Sequence, residues 1–397
     1  MSPVLSALFG LLVALPVGAQ EDAAAPDVRA TIRAEAEAAR ALVQSEVALG
    51  FLDAAAALPA IETRVVWRDK AAGRAYSQAE YEALPEDERE GLERREVDER
   101  FYYTTGYGTP VIYARPLELA AGHGLDTLAG ARVFDFGYGM IGQLRMLAAN
   151  GADVTGIEVD PLFRALYSWD GDQGAIPALG EGLDGSLRLL HGSFPGDAGL
   201  AQAVGGDYDL IVCKNVLKLG YIHPVREADA RLLIDLGVDD ESFLRAMYDA
   251  LAPGGLLLVY NIAPKQNPEG EPYMPWADGG FPFERRLAER LGFEVLGFDV
   301  EDHDAIHDMW FAAGLERGAS REELAQNLFA HWTLLKRGSA RTGLEMKPAC
   351  ELCETELPPQ SVAYICSHEC TFCPGCGEQR EHVCPNCGGE LAERPRG

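Results

Sequence analysis

Residues 133–142 read VFDFGYGMIG, which puts Gly137, Gly139 and Gly142 in the G-x-G-x-x-G spacing of a turn that cradles a nucleotide cofactor. Asp135 stands two residues ahead of the first glycine, where its charge would face the pyrophosphate of a nicotinamide dinucleotide. A ligand that brings cations and no phosphate reconciles the acid with the glycines. S-adenosylmethionine carries an ammonium and a sulfonium for a buried carboxylate to attract, and the glycines let backbone approach it closely. Its adenosine needs a second acid at the end of the next strand for the ribose hydroxyls, and Glu158 in GIEVDP stands there.

A second chemistry is written near the C-terminus. Eight of the nine cysteines form four close pairs: Cys350 and Cys353, Cys366 and Cys370, Cys373 and Cys376, Cys384 and Cys387. Eight thiolates are enough for two tetrahedral Zn²⁺ sites. The preferred sharing is sequential, with Cys350, Cys353, Cys366 and Cys370 on one ion and the last four on the other; interleaved pairs are the alternative. His368 and His382 are then surface residues, because eight ligand places are already filled. A disulfide framework is the competing reading, and redox-active pairs fit less well because no βαβ pattern surrounds them. Cys213 lies in an apolar strand and reads as a small buried hydrophobe.

Regular alternation positions the glycine loop. ARVFDF is a strand, IGQLRMLAANG a helix, DVTGIEVD a strand, SLRLLHG and YDLIVCKNVL two more, DDESFLRAMYDALAPGG a helix and turn, and LLLVYNIA a fifth strand. Strands and helices in this rhythm imply parallel βαβ units in a doubly wound α/β sheet. FEVLGFDV and LFAHWTLLKR, joined by a long excursion, add an antiparallel strand to the mostly parallel sheet. Ahead of it, residues 20–104 form a helical N-terminal extension. Helices are expected over 28–58, a short strand over 62–70, and an exposed helix from the capping box at Ser77 and Glu80 to about Arg100, broken near Pro85. The α/β unit spans 105–337, a linker 338–344, and the cysteine-rich zinc-binding unit 345–397, which is too short to hold together by apolar burial alone.

The 397 residues exceed the usual size of one core, and 47% of them are apolar. A formal charge of −28, from 34 Lys and Arg against 62 Asp and Glu, argues against nucleic acid or anionic membrane as a partner. From Glu345 onward there are nine acids and four Lys or Arg, so the cysteine unit is no exception. Residues 4–17 are an apolar run followed by Val17-Gly18-Ala19 and then acidic sequence, the outline of a signal peptide over 1–19. The expectation is export to the periplasm or envelope, with no stable membrane span after processing. Cytoplasmic residence is the alternative, because the methyl donor is made inside the cell and zinc thiolates prefer reducing conditions.

Residues 130–337 resemble a class I S-adenosylmethionine-dependent methyltransferase. VFDFGYGMIG with ADVTGIEVDP resembles that family's first two strands and their loops, YDLIVCKNVL its fourth strand, LAPGGLLLVYN the turn and fifth strand, and WTLLKR its closing antiparallel strand. The resemblance implies a Rossmann-like sheet of seven strands. It also implies that Asp135, Gly137 and Gly139 shape the methionine pocket, that Glu158 holds the ribose, and that Ser193, Phe194 and Asn215 complete the cofactor site. Two positions depart from the pattern: Ile141 replaces a third alternating glycine, and Ser193 replaces an acid. Residues 344–395 resemble a short bacterial cysteine-rich domain of unknown function, which implies zinc and no activity.

Acceptor-side candidates follow strands four and five: Lys214, Asn215, Lys218, Tyr221, His223 and Asn261. Of these, Asn215, Tyr221 and His223 are the catalytic candidates, with His223 a general base or, in the plainer reading, a histidine hydrogen-bonded in a loop. Tyr138 either touches ligand or packs. Tyr107 and Arg115, ahead of the first strand, are candidates to reach the cofactor's carboxylate. The leading expectation is a methyltransferase acting on a small-molecule or protein acceptor. A zinc-binding scaffold of the same fold without turnover is the alternative, and an NAD-dependent oxidoreductase rests on the glycine spacing alone.

Overall fold

The computed structural model describes residues 27–104, 108–338, 347–358, 360–366 and 369–394. The signal-like segment, Tyr107, His368 and residues 339–344 of the linker lie outside the described residues.

Three strands in the N-terminal extension, β1 (Arg64–Asp69), β2 (Arg74–Ser77) and β3 (Glu93–Val97), form an antiparallel sheet in the order β2-β1-β3. The capping box closes as expected, Ser77 and Glu80 each accepting the other's backbone N–H at the start of the helix Gln78–Ala83. The expected helix to Arg100 is corrected. Beyond the short turn Glu86–Arg89 the chain becomes β3, whose Glu93 lies opposite Arg68 and whose Arg95 lies opposite Val66. Four of its five residues are exposed. Dense charge looks the same on an edge strand and on a solvated helix face, so composition did not separate the two.

The large sheet holds β4 (Arg132–Phe136), β5 (Asp153–Glu158), β6 (Gly174–Ile176), β7 (Gly185–His191), β8 (Tyr208–Lys214), β9 (Leu251–Pro264), β10 (Phe293–Glu301) and β11 (Leu328–Arg337), in the order β10-β11-β9-β8-β4-β5-β7-β6. The five strands β7, β5, β4, β8 and β9 are parallel, and β11 inserts antiparallel between β9 and β10. This is a doubly wound, Rossmann-like arrangement. It has eight strands where seven were expected, because the Gly-rich loop after β5 adds the three-residue antiparallel edge β6.

Period-two alternation feeds two cores. Val133, Val154, Leu210 and Leu258 face one side with the helices Gly142–Ala148 and Pro161–Leu166; Phe134, Phe136, Ile211 and Val259 face the other with Asp240–Ala250 and Arg285–Arg290. The N-terminal helices Val28–Ala39 and Glu46–Asp53, capped by Asp27 and Ser45, bury Ile32, Ala36 and Phe51 in the first of these cores.

A buried ion pair ties the extension to the sheet. Arg64 of β1 donates to both oxygens of Asp172 at 2.6 and 2.8 Å and to the Leu166 carbonyl at 2.6 Å. Tyr102 and the Trp169 N–H complete the carboxylate's partners. Removing one member of such a pair strands the other charge. Arg64→Ala should therefore lower the unfolding free energy by about 3 kcal/mol, read by denaturant titration of the fluorescence of Trp169, over which the guanidinium lies at 4.7 Å.

Candidate functional site

Parallel register ends neighbouring strands along one line. Phe136 lies beside Ile157, and Glu158 beside His191. Beyond β4 the chain turns through Gly137 (φ 78°) and Gly139 (φ 58°) into the helix Gly142–Ala148. A Cβ on Gly137 would come within 2.5 Å of Val216, so the turn needs glycine both for its backbone angle and for space. A pocket opens above this turn, lined by the ends of β4, β5 and β8.

Gly137, Tyr138 and Gly139 form one wall, and Glu158 with Val159 and Asp160 the next. Glu158 is almost fully buried and accepts N–H groups from Gly139 (3.1 Å), Val159 (2.8 Å) and Asp160 (3.3 Å). Burial pushes its carboxyl up to about 7 in spite of those donors. Ser193, Phe194 and the Ile234–Leu236 loop close the apolar end.

Asp135 is fully buried and lies one residue behind the wall made by Phe136 and Gly137. Its Oδ2 is 3.5 Å from the Gln143 amide, and its Oδ1 has no hydrogen-bond partner among the described residues. Burial pushes the carboxyl up to about 7, against the opposing pull of Tyr113, Gln143 and the charge of Lys214. Lys214, at the end of β8, is the one cationic side chain in the described pocket lining. It stands 5.5 Å over the Tyr113 ring, and burial pushes its ammonium down to about 8 while Asp135 pulls the other way.

Asn215 lines the same pocket with a left-handed backbone (φ 68°), and its Oδ1 accepts the Ile262 N–H at 2.7 Å, locking the ends of β8 and β9 together. The other acceptor-side candidates lie elsewhere. Tyr221 is buried beneath the short helix Leu219–Ile222 and is not part of the pocket lining. His223 follows that helix onto an outer surface, where its Nε2 meets Asp240 at 2.9 Å beside Arg245 and Arg290. Neither Tyr221 nor His223 therefore belongs to this pocket, because the helical turn carries both away from the strand ends. Lys218 donates to the Ile262 and Trp276 carbonyls at 2.6 and 2.9 Å. Asn261 donates to Leu217 and Gly279. Arg115 is held by a two-pronged pair with Asp302 at 2.6 and 2.8 Å, which withdraws it from any cofactor carboxylate. Tyr138 lines the pocket and also packs near Phe163 and Tyr167. Sequence reasoning missed Gln143, Val159 and the Ile234–Leu236 loop. Only Val159, adjacent to Glu158, carried a positional signal.

The cysteines gather as Cys350, Cys353, Cys373 and Cys376, and as Cys366, Cys370, Cys384 and Cys387. The sequential sharing is corrected to the interleaved one. β12 (Tyr364–Ile365) pairs with both β13 (Thr371–Phe372) and β14 (Ala392–Glu393). The β12–β13 turn therefore carries Cys366 and Cys370 at one end, while Cys373 leaves β13 at the other. Glu351 binds Thr371 through both backbone and side chain, docking the first knuckle on β13. The Cys353 and Cys373 sulfurs are 3.6 Å apart and those of Cys366 and Cys387 3.5 Å. Thiolates about 2.3 Å from a tetrahedral zinc would stand about 3.8 Å apart, so both clusters fit the ion. No disulfide joins any of the cysteines. His382 packs on Tyr364 outside both clusters, and Cys213 is fully buried, its thiol pushed up to about 12.

Residues 343–397 match a family described as a protein of unknown function, DUF1272. The curated "Uncharacterized protein R02474" of Rhizobium meliloti (strain 1021) is 56% identical over 54 residues, which is 13% of this chain; the chain spans 64% of that relative's length. Among solved structures, the chain is similar to Haemonchus contortus phosphoethanolamine N-methyltransferase 2 in complex with S-adenosyl-L-methionine (13% identity, 62% of this chain and 63% of that one, TM-score 0.35). It is also similar to S-adenosylhomocysteine complexes of methyltransferases from Thiobacillus denitrificans (17%, 59% and 96%, TM-score 0.31) and Geobacter sulfurreducens (16%, 59% and 96%, TM-score 0.32). At these scores the fold assignment rests on the strand order itself.

Proposed function

We propose that the chain is an S-adenosylmethionine-dependent methyltransferase acting on a small-molecule or protein acceptor, with two structural zinc ions in its C-terminal unit. One observation carries the first part: two adjacent parallel strands each end in a buried acid, and the glycine turn between them opens on one pocket. Glu158 is placed to accept the ribose hydroxyls, and the unpartnered Oδ1 of Asp135 supplies negative potential behind the methionine end. Lys214 is placed for the carboxylate of the same zwitterion, and Phe194 and Leu236 give the adenine an apolar slot. When bound, the cofactor supplies an electrophilic methyl group. The chain's own part is to orient it, exclude water and admit the acceptor at the rim. A pyrophosphate cofactor is disfavoured by Asp135, whereas Glu158 suits the ribose of either cofactor.

The cation of Lys214 in a pocket meant for a sulfonium favours one second reading, a scaffold that binds the cofactor without turnover. Labelled donor incubated with host extracts separates the two, because methyl incorporation requires the enzyme and its absence alongside intact binding requires the scaffold.

Cofactor affinity should depend on pH with a defined sign. Asp135 and Glu158 become anionic only as pH rises through about 7, and Lys214 loses its charge above about 8. Calorimetric affinity for S-adenosylhomocysteine should rise through the first value and fall beyond the second. Asp135→Asn should weaken binding about tenfold near neutrality, and Lys214→Met should remove the falling limb. A flat profile unaffected by Asp135→Asn would sink the assignment.

The zinc unit makes a separate prediction. Elemental analysis should find about two zinc ions per chain. Cys353→Ser and Cys373→Ser should each remove about one, and because both serve the same cluster the double variant should still hold about one. Loss of both ions in the double variant would contradict the interleaved assignment.

A further inference from the structure

The sheet carries a third set of metal-competent side chains away from both the pocket and the cysteines. Glu301 ends β10, His331 lies directly opposite it on β11, and His303 opens the helix His303–Ala312 that follows. One ligand atom from each of the three lies within 4.8 Å of the other two. The two imidazole rings meet edge to face at 5.1 Å, and His303 Nε2 is 3.9 Å from a Glu301 oxygen. Antiparallel pairing therefore brings two imidazoles and a carboxylate to one corner of the sheet.

We propose that Glu301, His303 and His331 hold a divalent transition-metal ion. Imidazole with carboxylate suits zinc, cobalt, nickel or ferrous iron, rather than magnesium or calcium, which prefer all-oxygen sites. The surroundings match that role. His303 Nδ1 lies 3.0 Å from the Ala330 carbonyl and 3.2 Å from the Ala330 N–H nitrogen; in the tautomer that donates to the carbonyl, the Nε2 lone pair faces Glu301, the outer-sphere hydrogen bond that fixes a ligating imidazole. His331 Nδ1 is buried with no hydrogen-bond partner among the described residues. His331 also lines a cleft with Asp278, Asp299 and Phe329.

Ligands bound at about 2.1 Å stand about 3.0–3.4 Å from one another, closer than this corner holds them. Glu301 is 76% exposed and free to rotate the remaining distance. Three protein ligands leave a coordination place open for water on the cleft side. The proposal is independent of methyl transfer, because it concerns metal occupancy alone.

Cobalt titration of the full chain, loaded with only the two equivalents of zinc that fill the cysteine clusters, tests it. The expected result is about one cobalt ion bound with ligand-field bands and no thiolate charge-transfer band, so that exchange into the cysteine clusters is visible if it occurs. Glu301→Gln, His303→Ala and His331→Ala should each weaken that binding at least about tenfold while zinc content stays constant. Glu301→Gln is an exposed substitution and decides the matter if a histidine variant fails to fold. Absence of thiolate-free cobalt in the wild-type chain, or wild-type affinity in Glu301→Gln, would overturn the proposal.

Discussion

Two carboxylates that water does not reach set the terms for this fold. Asp135 and Glu158 end adjacent strands inside the sheet's rim, and burial pushes each up to about 7. Because the folded values lie above the ordinary carboxylate range, each acid favours folding while protonated. That contribution is lost as pH rises through about 7. The chain answers Glu158 with three backbone N–H groups and leaves one oxygen of Asp135 with none among the described residues. Folding alone gains nothing from such an arrangement. A cation delivered by a ligand converts the cost into affinity, which is why buried, half-satisfied acids at strand ends mark a binding site more strongly than the glycines between them.

The glycine turn matters because it sets how closely those acids and the ligand share one space. Gly137 has no room for a Cβ against Val216, and Gly139 uses its N–H on Glu158. The first acid's strand, the turn and the second acid are thus one mechanical unit. Asn215 performs the same service across the pocket, where its side chain bridges β8 to β9 and holds Lys214 at the wall. The N-terminal extension braces the outer side of the second strand's helix: Arg68 pairs with Asp160 and Arg164 donates to the Ala75 carbonyl. An element that looked chemically silent in the sequence therefore supports the wall that carries Glu158.

Much of this was legible in the sequence wherever a periodic pattern coincided with a local rule. The strands β4, β5, β7, β8 and β9 stand out as apolar runs closed by Gly, Pro or Asp, and the capping box at Ser77 is a three-residue rule that needs no tertiary context. Gly137, Gly139 and Glu158 were found for the same reason. What failed depended on direction in space. His223 and Lys214 are nine residues apart in one segment, yet a four-residue helix sends His223 to the outer surface while Lys214 remains in the pocket. Arg115 looked available until Asp302, 187 residues on, claimed it. β3 was hidden because an exposed edge strand and an exposed helix share the same charged composition.

The cysteine unit shows the same limit in its purest form. Spacing counts the ligands, but which pairs meet depends on the hairpin between them. Once β12 and β13 pair, Cys366 and Cys373 leave from opposite ends, and the first knuckle meets Cys373 rather than Cys366, with the Cys353 and Cys373 sulfurs 3.6 Å apart. Interleaving also ties the first knuckle to the middle of the unit and the second to its end, so each cluster closes only across the β12–β13 hairpin. For a unit with so small an apolar core, ions held at the two proposed sites would make metal binding and folding a single event.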